Sequence, residues 1–439
     1  MIAAKFGGTS MGTPESIGQV ADIVEKMAGN RAIIVSATSG TTDKLIALGK
    51  MALNGEEWEG ELSAMVSRHD EIIQGLGINL DLSTYWGDLR KLLQGISLIA
   101  ELSLAANDRL QTFGERVSSE ILAELLRSRG HKSEAFDAYN SVFTDNNFGE
   151  GNVDFERSNR AIRDQIGGFA EAGGIPVITG FVGQSENGHY ITLGRGGSDY
   201  TGAIVAAALD AGELQIWTDV EGIFNTDPRL VPEAKPLPQL SFNEAGELAF
   251  FGAKVLHPKT IKPAIEKNIP VRILNTFNPE APGSLISNEV EESVKSVTYR
   301  KGVSIVNVCS AGMLEARGFL ARLFEVFKRH DISVDVVSTS EVSVSLTVDN
   351  GHAEEVMEEL SEFARVDVQN GMAIVCLVGE GIKGDSGVLG RLFGCLKEHN
   401  VSMVSQGASK RNVTFLVSEA DAPEVVKKVY AEFFGQYPG

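Results

Sequence analysis

The chain has 439 residues, 43% hydrophobic and 22% charged, with a net charge of -20 from 59 acidic and 39 basic side chains. That length calls for two or three domains of globular composition, and the acidic balance excludes a general nucleic-acid surface. No apolar run reaches the roughly 18–20 residues that span a bilayer. The N-terminus reads as a strand without a secretory leader, and the three cysteines and seven histidines show no paired or metal-ligand spacing. The expectation is a cytoplasmic protein with buried thiols, no membrane segment and no metal site of its own.

In chain order, residues 1 to about 285 alternate between two patterns. Short β-rich runs ("IAAKF", "RAIIVSA", "IPVITGFV", "QIWTDV", "IPVRILN") are separated by helical stretches such as "ESIGQVADIVEKMA", "RVSSEILAELLRSRG" and "YTGAIVAAALDAG". Such alternation predicts an α/β domain with a mainly parallel sheet covered by helices. Residues 45–112 are longer, helical and more polar, which predicts a helical subdomain over one end of the sheet. The Asn- and Pro-rich stretch from 275 to 293, "NTFNPEAPGSLISNEVEES", reads as a transition.

Three segments share the form apolar strand, Gly/Ser/Thr loop, helix: "KFGGTSMGTPES" from Lys5, "VSATSGTTDKL" at 35–45 and "GRGGSDYTGAIVAAAL" at 194–209. Glycine lets the backbone turn its N–H groups toward a ligand, and a helix N-terminus favours an anion. Each loop alone reads as a capped turn, with Thr13-Pro14 or Asp199 as the cap. Three of them at the carboxyl end of one parallel sheet, with Lys5 and Arg195 embedded, make a polyanion site. The helix after Thr13-Pro14 is expected to lend its N-terminal charge to the same anion. None of the loops has the Walker spacing, and the protein-kinase signatures are missing.

Three further clusters carry chemistry. "QTFGERVSSEIL" puts Glu115 at a helix start, as a cap or as a carboxylate facing a substrate ammonium. "TDVEGIFNTDPRL" at 218–230 follows a strand, where a turn or a nucleotide contact both fit. "FGAKVLHPKTI" at 251–261 carries Lys254.

Beyond residue 300 the chain repeats itself at a shift of about 69 positions. "SIVNV" falls on "AIVCL", "GFLARLFEVFKRHDISV" on "GVLGRLFGCLKEHNVSM", and "SEVSVSLTV" on "SKRNVTFLV". Each copy reads as a ferredoxin-like βαββαβ unit. The match "GEGIKG" at 379–384 to a dinucleotide fingerprint sits at the strand–helix turn of the second copy and reads as a turn.

Taken together, "KFGGTS", "FGER", "GRGGSD", "TDVEGIFNTDPR" and "FGAKVLHP", in that order, resemble the aspartokinases of the amino-acid kinase family. The repeat resembles their paired ACT domains, most closely those of the lysine-sensitive monofunctional class. The resemblance covers essentially the whole chain. It implies a three-layer α/β catalytic domain over 1–285, a linker over 286–302, and ACT units over 303–371 and 372–439, with assembly as a homodimer through the ACT units. It also implies transfer of the γ-phosphoryl group of ATP, with Mg²⁺, to the side-chain carboxylate of L-aspartate, the first step of lysine, methionine and threonine biosynthesis, under feedback by lysine.

By the same resemblance Lys5, Gly7 and Gly8 hold the phosphates, with Lys5 on the transferring group. Ser36, Thr42, Glu115, Arg195, Gly196, Gly197 and Ser198 hold aspartate. Asp199 orients the phosphate loop or the metal. Thr218, Asp219, Phe224, Arg229, Lys254 and Val255 surround the nucleotide, with Phe224 standing where relatives often have Tyr. The effector positions are Met313, Ala316, Phe319, Leu320, Val334, Asp335, Ser340 and Glu341, and Asp335 or Glu341 meets the lysine ammonium. Ala316 stands where lysine-sensitive relatives tend to have Ser.

Overall fold

The computed structural model describes residues 1–251, 256, 258–310 and 318–435. They group into two compact units, Met1–Ile223 with Leu256–Asn288, and Phe224–Val255 with Glu289–Gly439.

The first unit opens with β1 (Ile2–Phe6), α1 (Pro14–Lys26), β2 (Arg31–Val35) and α2 (Thr41–Leu53). Helices α3 (Glu59–Leu76), α4 (Ser83–Ile99), α5 (Leu104–Gln111) and α6 (Phe113–Ser128) follow, so the polar segment over 45–112 is helical. Next come β3 (Ser133–Phe136), β4 (Phe143–Thr144), α7 (Phe155–Ile162), α8 (Gly168–Glu171), β5 (Ile175–Thr179), β6 (Val182–Ser185), β7 (Tyr190–Thr192), α9 (Gly197–Ala208) and β8 (Glu213–Thr218). After β9 (Gln239–Ser241) and α10 (Phe242–Phe250) of the second unit, the chain returns with α11 (Pro258–Glu266), β10 (Val271–Asn275) and β11 (Ser284–Ser287).

Strands of the first unit lie in the order β3-β5-β2-β1-β8-β10-β11. Every neighbouring pair is parallel except β10 with β11. Strand β1 is central, with Lys5 level with Ile34 on one side and Ile216 on the other. Alternation along a strand then divides its residues between two faces. Ala4 and Phe6 join the apolar core that also contains Val20, Val35, Val117 and Ile121. Lys5 turns the other way, toward α9, where a Cβ on Gly202 would stand 3.4 Å from the Cβ of Lys5. A lysine next to the end of a buried central strand is thereby aimed along one helix.

The second unit continues with β12 (Ser296–Cys309), α12 (Phe319–Arg329), β13 (Val337–Thr339), β14 (Ser343–Asp349), α13 (Ala353–Ser361) and β15 (Arg365–Val378). It ends with α14 (Ser386–Cys395), β16 (Met403–Gln406), β17 (Asn412–Ser418) and α15 (Ala422–Phe434). The repeat is visible in three dimensions. β12 and β15 match end to end at a shift of 69, as do β14 and β17. Core residues follow the same shift: Val306, Leu323, Val344, Ala353 and Val356 of one core become Val375, Leu392, Val413, Ala422 and Val425 of the other.

The two copies share one six-stranded sheet, ordered β13-β14-β12-β15-β17-β16. Strands β12 and β15 pair antiparallel along both halves. β15 therefore closes the first copy with residues 365–369 and opens the second with residues 372–378, which pair with β17. Residues 224–251 join this unit through polar contacts. Ser241 and Glu244 form the capping box of α10, Glu244 accepts from the Glu380 amide, and Ser241 Oγ donates to Glu380. Val231 enters the second-copy core.

Candidate functional site

Two adjoining cavities of the first unit, about 260 and 480 Å³, share Lys5, Ser36, Thr42 and Glu115 in their walls. All nine residues expected to hold aspartate or to act beside it line the smaller one: Lys5, Ser36, Thr42, Glu115, Arg195, Gly196, Gly197, Ser198 and Asp199, with Phe181 and Gly194. The larger one takes in Lys5, Gly7, Gly8, Thr218 and Asp219, together with the loop Thr38-Ser39-Gly40 and Asp43. Lys5 thus stands where the two meet.

The loops owe this convergence to glycine at a few positions. Gly8 packs so closely that a Cβ would lie 3.2 Å from the carbonyl oxygen of Ala37. A Cβ on Gly7 would sit in ordinary contact, 3.5 Å from the Trp217 carbonyl oxygen and 3.7 Å from Lys5 Nζ, so Gly7 is not required there for space. Gly40 and Gly196 precede α2 and α9 at φ +74 and +70, and neither helix has a side-chain cap. Thr41 and Gly197 donate back to the Thr38 and Gly194 carbonyls, and the N–H groups of the next two residues of each helix are left for a ligand, with the helix dipole behind them.

Helix α1 differs. Thr13 and Ser16 close its N-terminus in a reciprocal cap, and no α1 residue lines either cavity. The helices whose first turns line the site are α2, α6 and α9.

Lys5 Nζ lies 2.6 Å from Asp199 Oδ1, with side chains 11% and 16% exposed. Asp199 sits in the first turn of α9, so the pair joins the central strand to the helix packed on it. Glu115, in the first turn of α6, is buried, and its Oε2 has no hydrogen-bond partner among the described residues. Burial pushes its carboxyl up to about 8, although the Ala37 amide, its own amide and the Lys5 charge pull the other way. A buried carboxyl of this kind ionises readily only when a cation joins it. Arg195 is exposed at the cavity mouth.

Several contributors escaped the sequence reading. Phe181 follows β5 with φ +68, and Gly197 must lack a Cβ because one would stand 2.5 Å from the Phe181 ring. The signal was present in "VITGF", a fourth strand followed by glycine. Beneath the second loop, His69 is fully buried and bonds Thr38 Oγ1 through Nε2 at 3.0 Å and the Met65 carbonyl through Nδ1 at 2.8 Å. Thr38 in turn meets the hydroxyl of Thr41. Arg116, next to Glu115, pairs with Asp137 at 3.1 Å and lies over the rings of Tyr85, Phe113 and Tyr190.

Not every expected residue joins the cavities. Phe224 and Arg229 belong to the second unit. Phe224 forms a β-bridge with Pro236, and exposed Arg229 grips Asp227. Lys254, Val255, Met313 and Ala316 lie outside the described residues. Of the remaining effector positions, Phe319 and Leu320 begin α12, and Phe319 packs edge-on against Phe363. Val334 and Asp335 precede β13, while Ser340 and exposed Glu341 lie between β13 and β14. Asp335 is already engaged by Arg300, which leaves Glu341 as the carboxylate without an ion pair among the described residues.

Comparison with known proteins adds to this geometry. The amino acid kinase family model matches residues 1–275, and an ACT domain model matches 306–362 and 375–433. The chain is 37% identical to the lysine-sensitive aspartokinase 3 of Escherichia coli, covering 99% of both chains. It is 38% identical to the chloroplastic aspartokinase 1 of Arabidopsis thaliana, covering 98% of this chain and 79% of that one. It superposes on E. coli aspartokinase III in complex with aspartate and ADP, R-state, with a TM-score of 0.83 at 36% identity, covering 99% of this chain and 100% of that one. On the T-state complex of the same enzyme with lysine and aspartate the TM-score is 0.80, at 36% identity and 99% coverage of both.

Proposed function

Because the chain belongs to the amino acid kinase family and, within it, to the aspartokinases, we infer that it transfers the γ-phosphoryl group of ATP to the side-chain carboxylate of L-aspartate, giving 4-phospho-L-aspartate. The observation that carries the reading is the pair of adjoining cavities with Lys5 in the shared wall. One cavity suits a small zwitterion with an extra carboxylate. The other suits a polyphosphate.

The chemistry asks little covalent work of the protein. A side-chain carboxylate is already ionised at neutral pH and needs no general base. The task is to bring two anions together in line and to stabilise the charge that spreads over the transferring group. Lys5 supplies a cation at the junction, and Asp199 holds it there. The uncapped amides of α2 and α9 supply partial positive charge without needing to reorganise. Glu115 receives the substrate ammonium, which explains a buried carboxyl whose Oε2 has no hydrogen-bond partner among the described residues. Arg195 holds the α-carboxylate, and Ser36, Thr42, Gly196, Gly197 and Ser198 complete the pocket.

Thr218 and Asp219 face the nucleotide, and we extend that group to Phe224, Arg229, Lys254 and Val255 on the family resemblance. Asp199 and Asp219 provide the one or two carboxylates with which Mg²⁺ is usually held beside phosphate oxygens. When bound with ATP, the ion neutralises charge on the phosphates.

Lysine acting through the repeat is part of the same reading, supported by the E. coli relative's complex with lysine and by the exposed carboxylate of Glu341, which has no ion pair among the described residues. Assembly as a homodimer through the ACT units and a cytoplasmic location belong to it as well. Among the described residues no helix is long and apolar enough to cross a membrane.

The deciding experiment is an aspartyl-hydroxamate assay with ATP, Mg²⁺ and L-aspartate. Aspartate-dependent product is expected. Its absence from folded protein overturns the reading.

A further inference from the structure

His69 takes no part in the chemistry described above, yet it is fully buried on α3 and touches the second glycine loop. Its ring packs against Trp86 of α4, with centroids 5.1 Å apart. Nδ1 lies 2.8 Å from the Met65 carbonyl oxygen, and Nε2 lies 3.0 Å from Thr38 Oγ1. Thr38 Oγ1 in turn lies 2.5 Å from Thr41 Oγ1. Both threonines are buried as well.

The direction of these bonds follows from the chemistry of the groups. A carbonyl oxygen only accepts, so Nδ1 carries a proton. Burial holds the imidazole pKa below its ordinary value, with Arg68 and Lys44 acting the same way and the Met65 carbonyl and Asp70 opposing. The ring therefore stays neutral at neutral pH, and a neutral ring with its proton on Nδ1 has a bare Nε2. The Thr38 hydroxyl must donate to it. With that proton spent, the Thr38 oxygen accepts from the Thr41 hydroxyl. Every member has one role, and a buried network with one solution holds its members in place.

The part held in place is the turn ahead of α2. Thr41 also donates its amide to the Thr38 carbonyl. Ser39 and Gly40 stand between the two threonines and Thr42 and Asp43 follow them, all four in the wall of the larger cavity. The amides of Thr42 and Asp43 belong to the first turn of α2, so a shift of Thr38 re-aims them. The same stretch of α3 reaches the first loop. Arg68 donates to the Gly12 carbonyl at 3.4 Å, and a Cβ on Gly12 would stand 3.3 Å from Ser39 Cβ. Neither Arg68 nor His69 lines either cavity, so α3 braces both loops from behind their walls.

We propose that His69 is a positioning residue for phosphoryl transfer. As the final acceptor of the threonine pair it holds the Thr38–Thr41 turn where the first free amides of α2 meet the transferring group. The identity of that group rests on the kinase reading. Those amides meet charge that grows during transfer, so the effect falls on kcat. Aspartate is held by Glu115 and Arg195 from other elements, so its KM moves little.

The test is initial-rate kinetics of the full chain in the hydroxamate assay. His69→Leu, which fills the space without an acceptor, lowers kcat about tenfold, the scale of one lost hydrogen bond. The KM for aspartate stays within about threefold of the parent. In His69→Gln the side-chain oxygen accepts from Thr38, and kcat stays within about threefold of the parent. Thr38→Val removes the donor at nearly unchanged shape and costs about tenfold again, and the double variant is no worse than either single one. A full rate in His69→Leu, no rescue in His69→Gln, or additive losses in the double variant overturns the proposal. So does a lowered melting temperature with kcat unchanged, the mark of a histidine that only fills the core. Independently of turnover, NMR of isotope-labelled histidine shows one neutral imidazole protonated on Nδ1 that vanishes in His69→Leu, and a proton found on its Nε2 instead overturns the proposal. Failure of the kinase reading shows in the parent, as absence of aspartate-dependent product, whereas failure of this proposal shows in the variants of an active parent and in that spectrum.

Discussion

Around Lys5 the charges are buried and few; around Glu341 they are exposed. In the first unit, Lys5 and Asp199 are shielded from solvent, and Glu115 is buried with its Oε2 lacking a hydrogen-bond partner among the described residues. In the first copy of the repeat, the buried carboxylate Asp335 is already neutralised by Arg300, and the carboxylate left for a ligand stands in water. Burial makes each charge worth more and more costly to leave unpaired, whereas an exposed pair contributes little. A site that must stabilise a transition state and one that only senses concentration are expected to differ in this way.

The strongest challenge to that contrast is Lys5→Ala. Turnover in the hydroxamate assay falls about 10³-fold, the range for removal of one preorganised charge donor, while lysine binding measured by calorimetry stays intact. A loss of less than tenfold breaks the buried side of the comparison.

Glu115→Gln comes next. The KM for aspartate rises about 10²-fold, as for truncation of one member of a desolvated charge pair, with a smaller change in kcat. Stability moves the opposite way. With its carboxyl at about 8 when folded and near 4.5 when unfolded, Glu115 favours the folded state fully below the lower value. That contribution is lost as pH rises through about 8. The thermal midpoint of Glu115→Gln therefore exceeds that of the parent above pH 8, and a scan at pH 9 checks it.

A smaller effect comes from pH alone. Apparent affinity for aspartate rises about fivefold between pH 7 and 8, as the ionised fraction of Glu115 grows toward one half, and the rise is flat in Glu115→Gln. The smallest effect belongs to the exposed side. Glu341→Gln shifts the half-inhibitory lysine concentration only about threefold, in keeping with a solvated ion pair. A shift as large as that of Glu115→Gln erases the distinction between the two sites.

Much of this arrangement is legible in the order of the residues. Strand-then-glycine loops are local signals, and "KFGGTS" and "GRGGSD" announce chain turns that bare their amides. The repeat is legible because both copies need the same core: Leu323 and Leu392, or Ala353 and Ala422, fill the same places. What escapes depends on partners distant in sequence. Phe224 and Arg229 follow Thr218 and Asp219 closely in the chain, and no stretch of sequence marks that the first pair belongs to the second compact unit. His69 lies beneath the site on a helix that carries no motif, and Phe181 follows the strand and glycine of "VITGF". The expectation that α1 faces the anion fails because a capping box at Thr13 closes that helix on itself.

By itself, then, the amino-acid order determined the local chemistry: which strands end in glycine, which helices follow them, and that one βαββαβ pattern is written twice. Only the tertiary structure decided which ends meet. Parallel pairing of β1 between β2 and β8 sets Lys5 on the α9 face and brings it to Asp199. Antiparallel pairing of β12 with β15 makes the two repeats one sheet. Strand pairing joins segments far apart in the chain, and burial of a charge depends on everything packed around it, so neither is written in any short stretch of sequence.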